Sequence, residues 1–200
     1  MYSDSCQVRI CEYISLGSDC SVSYQLRKYG LQSSGSMPLD WCVLSSMDTL
    51  ISILDNKFSG FTDFKEYVIK PQSDNFDNFD CKDYKSRCKM IHSKYKGLTL
   101  PHEYLDTELD IPEFENKYSR RIKRFNEIVI NPNIEKVFIR FGNNKEKDKR
   151  SILEEALDRY GAINYTLKHI IIDDYNHLIP KKEPFRWQRD YIPWIELFSK

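Results

Sequence analysis

The chain has 200 residues, 40% of them hydrophobic and 14% aromatic. That is enough apolar material for a packed core without disulfide or metal staples, and it excludes wholesale disorder. Lys and Arg number 30, as do Asp and Glu, so no global positive field exists to draw phosphates, and neither nucleic acid nor a membrane surface is an expected partner.

The first segment, Val8 to Leu16, is short, apolar and β-prone, and Gly17 closes it. Val22, Leu26 and Tyr29 then recur at helical spacing, with Gly30 as the stop. A turn follows at Ser33-Ser34-Gly35-Ser36, before Pro38. Ser45 or Ser46 can cap a second helix whose apolar face is Met47, Leu50, Ile51 and Leu54. Residues 57 to 110 mix Asp, Lys and Tyr with scattered Phe and read as a loop-rich insertion. Within them Gln72 to Asp83 reads as a surface loop, and Cys88–Ile91 and Leu98–Leu100 as short strands.

The second half is more regular. Phe114, Tyr118, Ile122, Phe125 and Val129 follow a helical spacing that Asn131-Pro132-Asn133 breaks. Lys136 to Phe141 reads as a buried strand, closed by Gly142-Asn143-Asn144. Ile152, Leu153, Ala156, Leu157 and Tyr160 form a helix stopped by Gly161, and Leu167 to Asp173 another strand. Trp187, Tyr191, Trp194, Ile195 and Phe198 outline a C-terminal helix that Pro193 kinks or starts. This alternation predicts an α/β fold over residues 1–200 as one domain, with a three-layer, mostly parallel sheet flanked by helices.

In such folds ligands bind beyond the C-terminal ends of the strands. Three such ends are legible: Gly17-Ser18-Asp19-Cys20, Arg140 to Asn144, and Asp173-Asp174-Tyr175-Asn176-His177. Cys20 stands where a helix begins. There the dipole and unpaired N–H groups bias a thiol toward thiolate and can hold an oxyanion. The same Cys can equally be a small buried hydrophobe. Arg140, at a strand end, is placed to meet an anion or to pair with a nearby acid. Asp40 and Trp41 follow a turn; Asp40 can orient a His or cap the next segment. His92 and His169 lie in apolar, strand-like segments and read as structural imidazoles. The six cysteines form no Cys-x-x-Cys pair, so no metal is expected. Without a Gly-rich phosphate loop, no cofactor is expected either.

Ser15-Leu16-Gly17-Ser18-Asp19-Cys20, Tyr24-Gln25-Leu26-Arg27 and Pro38-Leu39-Asp40-Trp41 together resemble the papain-like cysteine peptidase family of bacteria and large DNA viruses. His102-Glu103-Tyr104, the Arg-rich stretch Tyr118 to Phe125 and Val137-Phe138-Ile139-Arg140 fit its later elements. Leu39 departs from the family's usual Phe. The resemblance implies a cysteine hydrolase acting on a protein or peptide substrate through a peptide or isopeptide bond, with a papain-like α+β core as the alternative fold. Cys20 would be the nucleophile, His102 the base and Asp40 an orienting acid, with Gly17, Ser18, Asp19, Trp41, Asn143 and Arg140 lining the site. A weaker likeness to the SGNH/GDSL hydrolases brings in Asn143 and the Asp174-x-x-His177 pair, making His177 the rival base and Asp174 its acid. Two further readings stand beside these: a non-catalytic binding or host-interaction protein on a hydrolase-like fold, and a hydrolase of glycans or nucleotides in which Arg140 holds an anion. Met1 to Tyr13 lacks the apolar stretch of a secretory signal, so a cytoplasmic location is expected, the host cytoplasm for a viral protein.

Overall fold

The computed structural model describes residues 10–71, 88–101, 110–179 and 188–199. Its centre is a parallel sheet of β1 (Ile10–Ser15), β6 (Ile134–Gly142) and β7 (Tyr165–Ile171), in the order β1-β6-β7. Ile10 pairs with Ile134 and Ser15 with Ile139, while Lys136 pairs with Tyr165 and Gly142 with Ile171. β6 is buried from Lys136 to its end, as a strand covered on both faces must be. Alternate side chains serve two cores. Ile14, Phe138 and Leu167 join a cluster with α2 (Met47–Asp55), α3 (Ile111–Val129) and α4 (Arg150–Tyr160). Val137, Ile139, Phe141 and Ile170 join another with Val22 and Leu26 of α1 (Cys20–Lys28) and Trp194 and Phe198 of α5 (Trp194–Ser199). The result is helices on both faces of a parallel sheet, the α/β architecture the alternation implies.

The remaining strands form a separate antiparallel sheet in the order β2-β5-β4-β3. These are β2 (Val43–Leu44), β3 (Tyr67–Pro71), β4 (Cys88–His92) and β5 (Leu98–Leu100). β4 and β5 fall where the sequence suggests; β3 and β2 are additions to that reading. Leu44, Tyr67, Met90 and Leu98 bury into the same cluster as Ile14 and Phe138. The strand at 167 ends at Ile171 and continues as a 3-10 turn, Ile172–Leu178. The C-terminal helix begins at Trp194, directly after Pro193, so the proline marks its start. Trp187, Val8 and the Gln72–Asp83 loop reading lie outside the described residues, as do Cys6 and Cys81; Cys11, Cys20 and Cys42 are in no disulfide.

His92 illustrates a satisfied core imidazole. It is 1% exposed. Its Nδ1 accepts from the backbone N–H of Lys94 (3.1 Å) and Tyr95 (3.2 Å), and Nε2 donates to the Gly60 carbonyl at 3.2 Å. Burial is the main cause holding its pKa below the ordinary 6.5. The unfolded chain therefore takes up the proton first as pH falls. His92 supports the fold fully above about 6.5 and progressively less below it. We expect the urea midpoint to fall between pH 7.5 and 5.5, and to fall less in His92→Gln, which keeps an acceptor but does not titrate. An equal fall in both proteins would remove His92 from the account.

Candidate thiol site

β1 and β6 are neighbours, yet the helices that follow them pack on opposite faces: α1 in the cluster with Trp194, α4 in the cluster with Phe138. The loops that leave the two strands therefore run to opposite faces of the sheet, beyond the strand ends where α/β folds place ligands. Cys20 stands at that edge as the first residue of α1.

The turn that delivers it is tightly constrained. Gly17 and Ser18 both have positive φ, 76° and 105°, a conformation that costs about 1–3 kcal/mol for a side-chain-bearing residue such as Ser18. A Cβ on Gly17 would lie 3.2 Å from Leu44 Cβ and 3.5 Å from Cys42 Sγ, so glycine is required for space as well as for conformation. The Ser18 carbonyl accepts from Leu44 N–H at 3.0 Å. Asp19 caps α1: Oδ1 accepts from Ser21 N–H at 2.9 Å and from the Ser21 hydroxyl, while Oδ2 pairs with Arg189 at 2.7 Å.

Cys20 is 7% exposed. Burial, with the charges of Asp19 and Asp40 behind it, pushes its thiol up to about 12 from the ordinary 9.0. Of the two readings of Cys20, its burial fits the small hydrophobe and opposes the thiolate that a helix terminus favours. A rise of that size is worth about 4 kcal/mol, whereas a helix N-terminus supplies about 0.3–2 kcal/mol. Burial thus favours the protonated thiol, and nucleophilic chemistry from it needs a base to take its proton.

Asp40 is fully buried. Its carboxylate accepts from Ser23 Oγ (3.0 Å), Gln32 Nε2 (2.7 Å) and Met37 N–H (2.8 Å). Burial raises its pKa, and these three donors oppose the rise. Trp41 has φ 64°, and the Arg27 guanidinium lies 5.0 Å from its ring centroid. Asn143 caps the 3-10 turn Asn144–Lys149 by accepting from Lys145 N–H at 2.9 Å.

Arg140 is not a free cation. It is 1% exposed and donates from Nε (3.0 Å) and NH2 (2.7 Å) to the two carboxylate oxygens of Glu146. Of the two readings open for Arg140, the structure shows the pairing with a nearby acid. Glu146 was not legible as its partner, because nothing in their spacing marks the pair. His102 lies outside the described residues. Asp174 and His177 are exposed in the 3-10 turn after β7 and make no hydrogen bond to a described residue. β6 separates that turn from the Cys20 edge, so the ends of β1 and β7 are two strand spacings, about 10 Å, apart. Asp173, not Asp174, ties the two loops together by accepting from Asn144 N–H at 2.7 Å. Among the described residues no group of three or more His, Cys, Asp or Glu is arranged to hold a metal ion, and no helix is long and apolar enough to cross a membrane.

Fold and site together define an α/β protein with a buried cysteine presented at a strand-to-helix turn. A sequence model described as "Putative papain-like cysteine peptidase" matches residues 11–172, and the chain belongs to that family. It is also similar to an uncharacterised protein of Acanthamoeba polyphaga mimivirus, with 29% identity over 215 residues, covering 92% of this chain and 96% of that protein. No solved structure matches.

Proposed function

We propose that the protein is a cysteine-dependent hydrolase of peptide or isopeptide bonds, acting in the cytoplasm, with Cys20 as nucleophile and His102 as general base. The observation that carries this reading is the constrained Gly17–Asp19 turn presenting Cys20 as the first residue of the helix after β1. Membership of the cysteine peptidase family supports it, and the matched span includes Cys20, Asp40 and His102 but stops short of Asp174 and His177. Asp19 and Asp40 are the acids whose charges reach the Cys20 thiol.

The chemistry follows from the thiol's protonation. His102 takes the Sγ proton as sulfur attacks the substrate carbonyl, and an oxyanion forms. The proton passes from His102 to the leaving amine as the carbon–nitrogen bond breaks, leaving a thioester on Cys20. Water, losing a proton to His102, then attacks the thioester; the acid product leaves and the thiol returns.

A peptidyl epoxide probe tests this. It is expected to modify Cys20 in the native protein, with His102→Ala slowing modification by about 10²-fold or more and His177→Ala leaving the rate unchanged. The near-complete burial of Cys20 favours one second reading, a binding protein that retains the fold without the chemistry. Under that reading Cys20 stays unmodified until the protein is unfolded, and that result would end the hydrolase reading.

A further inference from the structure

We infer that the buried Arg140–Glu146 pair is the positioning unit for the Cys20 turn. The inference rests on the reading of Cys20 as nucleophile, but the contacts that carry it are independent of that reading. β1 continues its ladder one residue past its end, with Leu16 N–H donating to the Ile139 carbonyl at 2.8 Å. The next residue of β6 is Arg140, and its side chain continues where the backbone ladder stops. NH1 donates to the Leu16 carbonyl at 3.4 Å and NH2 to the Leu44 carbonyl at 3.1 Å. Leu16 is the last residue before the positive-φ pair Gly17-Ser18. Leu44 holds that pair from the other side, through its N–H to the Ser18 carbonyl. One guanidinium thus grips the chain just before the turn and the strand that clamps it.

The pair with Glu146 fixes the fork's direction. Both carboxylate oxygens are engaged by two different guanidinium nitrogens, a planar match that an ammonium cannot reproduce. Gly142 makes room for it: a Cβ there would sit 2.5 Å from Glu146 Oε2 and 2.8 Å from His169 Nε2. Strained backbone of the kind seen at Ser18 persists only where its surroundings over-determine it. Arg140 is a positioning residue, acting on Cys20 through the turn rather than touching the reacting atoms.

The test separates holding the turn from merely stabilising the fold. Replacing both members of a buried ion pair with apolar residues leaves no orphaned charge, so Arg140→Met/Glu146→Leu is expected to melt near the wild-type temperature. It still strips the Leu16 and Leu44 carbonyls of their donor. We expect faster amide exchange in residues 16–20 and 43–45, and epoxide modification of Cys20 slowed about tenfold or more, the loss that a displaced reacting group produces. Arg140→Lys keeps a charge opposite Glu146 but lacks the fork. It is expected to restore stability relative to Arg140→Ala without restoring Cys20 modification, and it decides the question if the double variant does not fold. Wild-type exchange protection at the turn, together with wild-type modification in the folded variants, overturns the proposal. If wild-type Cys20 itself resists the probe, the hydrolase reading fails. The exchange data then decide the positioning role alone.

Discussion

Arg140→Ala is expected to destabilise the protein by about 3–5 kcal/mol, the cost of orphaning one member of a buried ion pair. For a chain of this length that lowers the melting temperature by roughly 6–20 °C. The reason is what remains behind. The Glu146 side chain is 5% exposed and would keep a carboxylate with no counter-charge. The carbonyls of Leu16 and Leu44 would lose a donor at the same time. An exposed pair offers the contrast. Lys149 meets Asp48 at 2.7 Å, but the Asp48 side chain is 72% exposed, so Lys149→Ala should cost no more than about 1 kcal/mol. Urea unfolding of the two variants side by side checks both values. A loss below 1 kcal/mol for Arg140→Ala would mean that Glu146 finds water or protonates, and that the pair is incidental to the fold.

The contrast between these pairs also shows what a sequence can and cannot disclose. β6 was legible because a strand buried on both faces must be nearly all apolar, and Val137 to Phe141 is apolar apart from one residue. The end of α4 was legible because Gly161 takes φ 103° there, with its N–H bonded to the Leu157 and Asp158 carbonyls. β3 was not. Val68 and Ile69 are adjacent and both exposed, so the strand carries no inside-outside alternation, and it ends on a proline that only a sheet edge tolerates. β2, at two residues, is too short to show any period. At the site, Gly17 marked the turn that presents Cys20, while the capping role of Asp19 emerges only from the fold. The protonation of that thiol could not be read, because burial comes from residues far along the chain. Arg140 stood out as a strand-end cation, but its acceptors at Leu16 and Leu44 lie 124 and 96 residues away. Sequence spacing carries no trace of such contacts, so the sequence leaves Arg140 open between an anion site and an ion pair.

Trp194→Ala is expected to cost a further kind of stability, again about 3–5 kcal/mol, by opening a cavity in the second core. Trp194 is 1% exposed. Its ring centroid lies 5.3 Å from that of Phe141 and 5.6 Å from that of Phe198, and Nε1 donates to the Arg189 carbonyl at 2.8 Å. Trp194, Phe198 and Arg189 belong to a segment beyond residue 172, where the family match ends, yet the matched part shares its second core with that segment. Val22 and Leu26 of α1 share their cluster with Trp194 and Phe198. Gln188 and Asp190 reinforce that face: Gln25 Nε2 donates to the Gln188 carbonyl at 2.7 Å and to Asp190 Oδ1 at 2.8 Å. The substitution should therefore loosen the helix that begins at Cys20, and amide exchange in α1 should rise more than in α4, which packs in the other cluster. Ile195→Ala, next along the chain but 60% exposed, should change stability by no more than about 0.5 kcal/mol. Thermal melting of the two variants and exchange of α1 against α4 measure this. Equal exchange in the two helices would show that α5 is a passenger on the fold, and that α1 takes its footing from the parallel sheet alone.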